Sequence, residues 1–197
     1  MQYVVSVMSS DHPGIIAGVS SAVYRLKGNI NSCSQTVLGG YFTFITIIDL
    51  PKQYSSEELA KEIQFSDGLG ADYRVIVQPY EHKVNIKVNV KVSGLEQLNA
   101  TKSTAETFVI TAFGKDQPGI VQEFSRYLAD HDINITDLYG ERNGDDFVLI
   151  GQLTIPANVN IGNIQDDLEE IGKEFGFTVK LQHNNIFVAT NQLRLVE

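Results

Sequence analysis

The stretch "SSDHPGII" at residues 9–16 decides the fold, and a second copy, "GKDQPGIV", lies at residues 114–121. In each copy a run of apolar and β-branched residues precedes the stretch, and apolar residues at helical spacing follow it. Proline suits the first turn of a helix, because the backbone N–H that it lacks would have no partner there. Both stretches therefore predict a strand that is followed directly by a helix.

The two stretches belong to an internal repeat. A shift of 105 residues aligns 4–51 with 109–156 without a gap, and about twelve of the 48 aligned pairs are identical. A gapless match with its turn residues in register indicates a duplicated domain. The identical pairs include Asp11/Asp116, Pro13/Pro118, Gly14/Gly119, Ile15/Ile120, Ser20/Ser125, Asn29/Asn134 and Phe42/Phe147.

Each copy has the pattern strand, helix, strand, strand, helix, strand. The dipeptides Gly39-Gly40 and Asn143-Gly144 are hairpin signals between the second and third strands. Right-handed crossovers then place both helices on one face of a four-stranded antiparallel sheet in the order 4-1-3-2. We predict an α+β fold of two ferredoxin-like βαββαβ domains at 1–80 and 105–197, which share a core or a sheet because each is small.

Two further segments have strand-like patterns. In the predicted linker at 81–104, the sequence "KVNIKVNVKV" at 83–92 alternates apolar and polar residues, and its lysines would oppose aggregation at a sheet edge. The sequence "IFVATNQLRLV" at 186–196 stands in the equivalent place after the second copy. Both are predicted as extra strands that join the two halves.

Composition and charge narrow the classes of function. The chain has 197 residues, 43% of them hydrophobic, and a net charge of -9. No basic face is visible, so direct binding to nucleic acid is not expected. No apolar run reaches the ~20 residues that cross a bilayer, and the first residues lack the basic region of a secretory signal. With its single Cys, we expect a soluble cytoplasmic protein.

The D-x-P-G-I turn, the Asn-Ile pair that begins the second strand and the βαββαβ order resemble the ACT domain. The resemblance covers nearly the whole chain as a tandem pair, and it is most similar to the glycine-cleavage-system transcriptional repressor family. It implies a regulatory protein without catalytic activity of its own, which binds a small ligand, often an amino acid. It also implies a homo-oligomer that signals through a protein partner. The alternative is an ACT-type dimerisation module that binds no ligand.

The resemblance and the physical chemistry of the turn indicate the same candidate site. The first helix of each copy offers free backbone N–H groups and the positive end of its dipole to a carboxylate. A glycine at the turn lets a ligand approach the backbone, and the asparagine of the second strand has a donor and an acceptor. The resemblance places the ligand where the turn of one unit meets the second strand of its neighbour. The candidate residues are Asp11, His12, Pro13, Gly14, Ile15, Ile16 and Asn29 in the first copy, and Asp116, Gln117, Pro118, Gly119, Ile120, Val121 and Asn134 in the second.

Structural roles for the same residues remain open. The proline and glycine could serve turn geometry alone, the aspartates could cap the helices, and the asparagines could help to end them. Catalysis is not expected, because the sequence Ser9-Ser10-Asp11-His12 becomes "GKDQ" in the second copy, without Ser or His. The four histidines have no metal-ligand spacing, and no cofactor motif is present.

Overall fold

The computed structural model describes residues 1–65, 73–81 and 106–191, and these contain the βαββαβ order twice. The first repeat consists of β1 (Gln2–Ser10), α1 (Ile15–Arg25), β2 (Asn29–Leu38), β3 (Tyr41–Asp49), α2 (Ser56–Gln64) and β4 (Arg74–Pro79). The second consists of β5 (Glu106–Lys115), α3 (Ile120–Asp130), β6 (Asn134–Asn143), β7 (Asp146–Ile155), α4 (Ile161–Glu174) and β8 (Phe177–His183). A last helix, α5 (Asn184–Asn191), follows. The predicted α+β fold of two ferredoxin-like repeats is confirmed.

The two repeats form one eight-stranded sheet with the order β4-β1-β3-β2-β6-β7-β5-β8. Each half has the predicted order 4-1-3-2, and the halves join through antiparallel pairing of β2 with β6, in which Ser34 lies opposite Tyr139. Helices α1 and α3 meet above this junction, where the hydroxyls of Ser20 and Ser125 lie 3.2 Å apart. These residues are equivalent in the two repeats, so the repeats are related by an approximate two-fold axis near them.

A single hydrophobic cluster extends through both repeats. Its largest side chains include the fully buried Phe42, Phe44, Phe124 and Phe147. The strands alternate buried and exposed residues, as a sheet with one covered face requires. The repeats therefore share a core and also extend one sheet into the other, so that each half completes the burial of the other.

The junction of β2 and β6 allows little space between side chains. A Cβ built on Gly140 of β6 would lie 2.8 Å from Sγ of Cys33 on β2 and 3.0 Å from the Phe147 ring. Cys33 is a free thiol, and burial raises its pKa to about 12. It is therefore a protonated packing group at neutral pH.

The structure corrects the prediction of a strand at 186–196. Residues up to 191 of that stretch lie in α5, whose half-buried side chains Asn184, Phe187 and Val188 are spaced as on one face of a helix. The β-branched residues gave a strand-like pattern, but packing of this face overrides the local preference. The predicted strand at 83–92 lies outside the described residues, as does nearly all of the predicted linker. No helix among the described residues is long and apolar enough to cross a membrane.

A glycine after a helical run suits a helix end, so the sequence predicts that Gly28 ends α1, but the structure gives this glycine a different role. Helix α1 ends in a positive φ of 58° at Lys27, not at the glycine. A Cβ on Gly28 would lie 2.5 Å from a methyl group of Leu50 and 2.7 Å from the backbone oxygen of Asp49. Close packing against the end of β3, and not helix termination, requires glycine here.

We predict that Gly140→Ala destabilises the protein by about 1–3 kcal/mol, because the added methyl group overpacks the junction. Urea unfolding followed by circular dichroism measures this change. Ser34→Ala, at an exposed position of β2, is the control and should change the unfolding free energy by less than about 0.5 kcal/mol. Equal stabilities of the two variants would contradict the close contact between the strands.

Candidate ligand-binding site

Helices α1 and α3 begin without side-chain caps. The residue before each helix is a glycine in left-handed conformation, Gly14 with φ 97° and Gly119 with φ 100°, and neither helix has a side-chain capping hydrogen bond. By contrast, Ser55 forms a capping box with α2, and Asn160 caps α4. The alternative role of Asp11 and Asp116 as helix caps is therefore wrong, and the first N–H groups of α1 and α3 have no side-chain acceptor.

The two aspartates bind asparagines of the opposite repeat instead. Asn134 Nδ2 donates to Asp11 Oδ2 over 2.8 Å, and Asn29 Nδ2 donates to Asp116 Oδ2 over the same distance. Each asparagine is the first residue of the second strand of its repeat. The structure thus joins the predicted turn residues to the predicted strand residues in two reciprocal pairs across the repeat boundary.

Each reciprocal pair stands beside a cleft between the repeats. The Gly14 cleft is shallow, with a cavity volume of about 10 Å³, and is lined by His12, Gly14, Ile15, Ile16, Ala17 and Phe42 with Ser125, Ile133, Asn134 and Ile135. The Gly119 cleft has the same volume, about 10 Å³, and is lined by Gln117, Gly119, Ile120, Val121 and Gln122 with Ser20, Val23, Tyr24, Gly28, Asn29 and Ile30. Ten of the fourteen predicted residues line a cleft.

The other four predicted residues lie in the two turns but do not line a cleft. Pro13 and Pro118 are exposed turn residues. The backbone N–H of Asp11 donates to Gly40 O and that of Asp116 to Asp145 O, so each turn is attached to the hairpin of its own repeat. Each aspartate then orients the asparagine of the opposite repeat. Sequence analysis did not find the lining residues on α1 and α3 beyond the first turn, such as Tyr24 and Ser125, because only the pairing of the repeats brings them to the clefts.

The two aspartates differ in their charge environment. Asp116, whose side chain is 8% exposed, lies 3.3 Å from Nε of Arg142. The residue equivalent to Arg142 in the first repeat is Val37, which leaves Asp11 without this cation. The second oxygen of each carboxylate, Oδ1, is buried and has no hydrogen-bond partner among the described residues. Buried acceptors of this kind usually have a partner.

His12 and Gln117 occupy equivalent positions with different contacts. The His12 ring makes two contacts. Its Nδ1 lies 2.8 Å from Pro13 O, and its Nε2 contacts the Tyr73 hydroxyl. A proton on Nδ1 fits both contacts, because the carbonyl accepts and the hydroxyl donates. Gln117 Nε2 donates to Phe175 O over 3.1 Å. Ser9 Oγ donates to the adjacent Ser10 O, and Asp11 bonds to Asn134, so these side chains are not arranged as a catalytic triad.

No metal site is found in the parts of the chain that the structure describes, since they contain no group of three or more His, Cys, Asp or Glu side chains suited to a metal ion. The arrangement consists instead of bare helix ends, carboxylate oxygens and amides. Bare helix ends attract anionic groups, and carboxylate oxygens attract cationic ones.

The ACT domain family model matches residues 2–75 and 106–182, which is one match in each repeat. The chain therefore belongs to the ACT domain family, as a tandem regulatory protein. It is 33% identical to a UPF0237 protein of Methanopyrus kandleri over 86 residues, which are 43% of this chain and 96% of that protein. It is 36% identical to a UPF0237 protein of Methanococcus maripaludis over 83 residues, 42% of this chain and 92% of that one. Each relative thus has about the length of one repeat.

Solved structures also resemble the whole chain. An unknown protein from Galdieria sulphuraria has 20% identity and a TM-score of 0.39, with 92% of this chain and 97% of that chain covered. A proposed glycine cleavage system transcriptional repressor has 15% identity and a TM-score of 0.38, with 93% and 98% covered. These scores are low, so nothing about ligand or partner follows from them.

We predict that Asn134→Ala costs more stability than Asn29→Ala. Each change removes the hydrogen bond to a partly buried carboxylate, at about 1–3 kcal/mol. Asp116 retains Arg142, whereas Asp11 loses its one described partner. Urea unfolding at pH 7 measures the difference.

The variant Asn29→Ala combined with Arg142→Ala provides the control. It should lose about as much stability as Asn134→Ala, because both aspartates then lack the same contacts. A larger loss in Asn29→Ala than in Asn134→Ala would contradict the assigned role of Arg142.

Proposed function

We propose that this chain is a non-catalytic regulatory protein that binds a free amino acid between its two repeats and signals through protein contacts. The observation that carries the proposal is the bare first turn of α1 and of α3, each facing the asparagine of the other repeat. Free N–H groups and the helix dipole together favour a carboxylate. Helices α2 and α4, which line neither cleft, are by contrast capped by the side chains of Ser55 and Asn160.

The ammonium group of an amino acid would also have hydrogen-bond acceptors in the two aspartates. Asp11 and Asp116 each have a buried Oδ1 without a described partner, and an ammonium group has three N–H donors. The carboxylate at the helix end and the ammonium toward the aspartate would add hydrogen bonds without breaking the Asn–Asp pairs. An amino acid fits this arrangement better than an anion alone, because the aspartates would repel an anion that lacks a cationic group.

Binding in these clefts would couple to the placement of the repeats. Every cleft takes residues from both repeats, so the affinity for the ligand depends on how the repeats are arranged. A ligand shifts such an equilibrium by the difference between its affinities for the two arrangements. We therefore propose that the ligand stabilises one arrangement of the β2–β6 junction. A partner protein would then recognise this arrangement.

The face of the sheet opposite α1 and α3 is the proposed contact surface. It exposes large apolar side chains on neighbouring strands, including Met8, Ile45, Phe113, Tyr139 and Ile150. Ile45 and Tyr139 also border a shallow trough of about 280 Å³ beside the junction. Adjacent exposed apolar side chains commonly mark protein interfaces. A second copy of the chain or a separate regulatory protein in the cytoplasm is the proposed partner.

A ligand-free interaction module is the second candidate function. The reciprocal Asn–Asp hydrogen bonds favour it, because they already use groups that a ligand would contact. In this case the turns would serve only to join the repeats, and the exposed sheet face would be the functional surface.

A thermal-shift screen of the twenty amino acids distinguishes the two candidates. A specific ligand at 100 times its Kd should stabilise the protein by about 2.7 kcal/mol and raise Tm by about 5–10 °C, because it binds only the folded state. The double variant Asn29→Ala, Asn134→Ala should lose the shift.

Asn31→Ala is the matched control, because Asn31 Nδ2 donates to Asp49 Oδ2 over 2.8 Å and lines neither cleft. It should have lower stability but keep the shift. No shift with any amino acid would sink the proposed function and leave the interaction module.

A further inference from the structure

The face of the sheet opposite α1 and α3, here called the open face, has an uncharged row of residues across its six inner strands. The strand registers place the members of this row side by side from β1 to β5. They are Ser6, Ile45, Ser34, Tyr139, Ile150 and Thr111. Although the chain has a net charge of -9, its acidic residues thus lie outside the middle of this face.

Large apolar side chains are exposed in this row and beside it. Five of them are 40–54% exposed, namely Met8, Ile45, Phe113, Tyr139 and Ile150. Met8 is equivalent to Phe113 in the repeat, and Ile45 is equivalent to Ile150. The approximate two-fold axis therefore gives the open face the same apolar pattern on both sides of the β2–β6 junction.

Ser34 and Tyr139 break this symmetry, because they are equivalent positions with side chains of very different size. They lie directly opposite each other across the junction. The trough of about 280 Å³ is lined by Ser32 and Ser34 of β2, between Ile45 of β3 and Tyr139 of β6. The junction thus has a projecting ring on β6 and a hollow beside it on β2.

The Tyr139 ring leans along β6, because its hydroxyl donates to a carboxylate oxygen of Glu141. Glu141 lies opposite Ser32, just as Tyr139 lies opposite Ser34. The ring therefore leans in the same direction in which the trough extends from Ser34 to Ser32.

Two copies fit together when their open faces pack about a two-fold axis that is parallel to the strands and midway between β2 and β6. A half-turn about this axis brings β2 of one copy over β6 of the other without a shift along the strand. Because Ser34 and Tyr139 are opposite each other, each ring then lies over the partner's Ser34. The strands of the two sheets remain aligned, as in a common form of sheet-on-sheet packing.

The four central strands are large enough for a specific dimer. Strands β3, β2, β6 and β7 have nine or ten residues each. With a spacing of about 4.8 Å between strands and a rise of about 3.3 Å per residue, they cover about 19 by 31 Å. Two such surfaces amount to about 1,200 Å², the lower end of the range for specific interfaces. Helix α5 contacts β5 and β8 at one edge of the sheet, outside these four strands.

We infer that the chain forms a two-fold dimer through its open face, in which the Tyr139 ring of each copy fills the trough over the partner's Ser34. This inference rests on the contact surface of the proposed function and adds that its occupant is a second copy. A charged partner is disfavoured, because the central row offers it no charge with which to pair. A face with both a ring and a trough is complementary to itself, as a two-fold dimer requires.

Sedimentation velocity of the full chain tests the dimer. The wild-type protein should change from monomer to dimer between about 1 and about 100 μM, because an interface of this size is weak. Ser34→Tyr sets two rings against each other, and Tyr139→Ser removes both rings. Each of these changes should raise the Kd of the dimer at least about tenfold, because tyrosines at the centre of an interface contribute strongly to binding.

The combined variant Ser34→Tyr, Tyr139→Ser exchanges the ring and the trough within each copy. Each ring again faces a serine of the partner, so the Kd should return close to the wild-type value. Loss of apolar area or of folding would not be repaired by the second change. Phe65→Ser is the matched control, because Phe65 is exposed at the end of α2 and should not affect the Kd. Far-UV circular dichroism checks that each variant is folded.

Three results would overturn the inference. The first is a wild-type monomer at every concentration, which would leave residues 82–105 of the same chain or another protein as the occupant of the open face. The second is a dimer that neither single variant weakens. The third is a folded combined variant that associates as weakly as the single variants. The amino-acid thermal-shift screen is independent of these results, so a shift in monomeric Ser34→Tyr would leave the proposed ligand binding intact.

Discussion

The antiparallel pairing of β2 with β6 is the interaction on which the rest of the structure depends. It joins equivalent strands of two repeats, so it creates the approximate two-fold relation and the single eight-stranded sheet. The same relation brings the start of each first helix to the second strand of the other repeat. Without this pairing there would be no shared core above the junction and no cleft between the repeats. The absence of a side chain at Gly140, opposite Cys33, is what lets the strands and their helices approach so closely.

The clefts combine satisfied and unsatisfied polar groups. The reciprocal bonds from Asn29 to Asp116 and from Asn134 to Asp11 fix the repeats relative to each other. They leave one oxygen of each aspartate and the first turn of each helix without a described side-chain partner. An unpartnered buried polar group costs about 1–3 kcal/mol. Under the proposed function, a ligand with both charges would offset part of this cost, and the cross-repeat bonds would hold its contact groups in place before it binds.

Most of the fold could be predicted from the sequence, because it is specified by local patterns that occur twice. The D-x-P-G turns predict where each first strand ends and each first helix begins. Because the repeat has no gap, both halves are expected to have the same topology. Features that depend on contacts between distant residues could not be predicted. The positive φ at the end of α1 lies at Lys27, and Gly28 is required by its close packing against Leu50 and Asp49. The segment that begins at Ile186 forms a helix despite its β-branched residues.

The candidate site shows the same division between local and distant information. Sequence patterns predicted the turns and the asparagines that meet at the clefts, but helix capping was the simplest local role for Asp11 and Asp116. Their real partners lie 123 and 87 residues away in the chain. The contact between Tyr24 and Gly119 likewise has no local signal. Tyr24 lies on an amphipathic helix, and only the pairing of the repeats brings its ring to Gly119.

Hydrogen–deuterium exchange of the helix starts tests the central claim most directly, because the claim concerns specific N–H groups. The backbone amides of Ile15, Ile16 and Ala17 should exchange quickly in the free protein and more slowly when an amino acid accepts their hydrogen bonds. The capped start of α2 should be unaffected and serves as the internal reference. Slowed exchange at the start of α1 with at least one of the twenty amino acids would support the account. Unchanged exchange there with all twenty would contradict it.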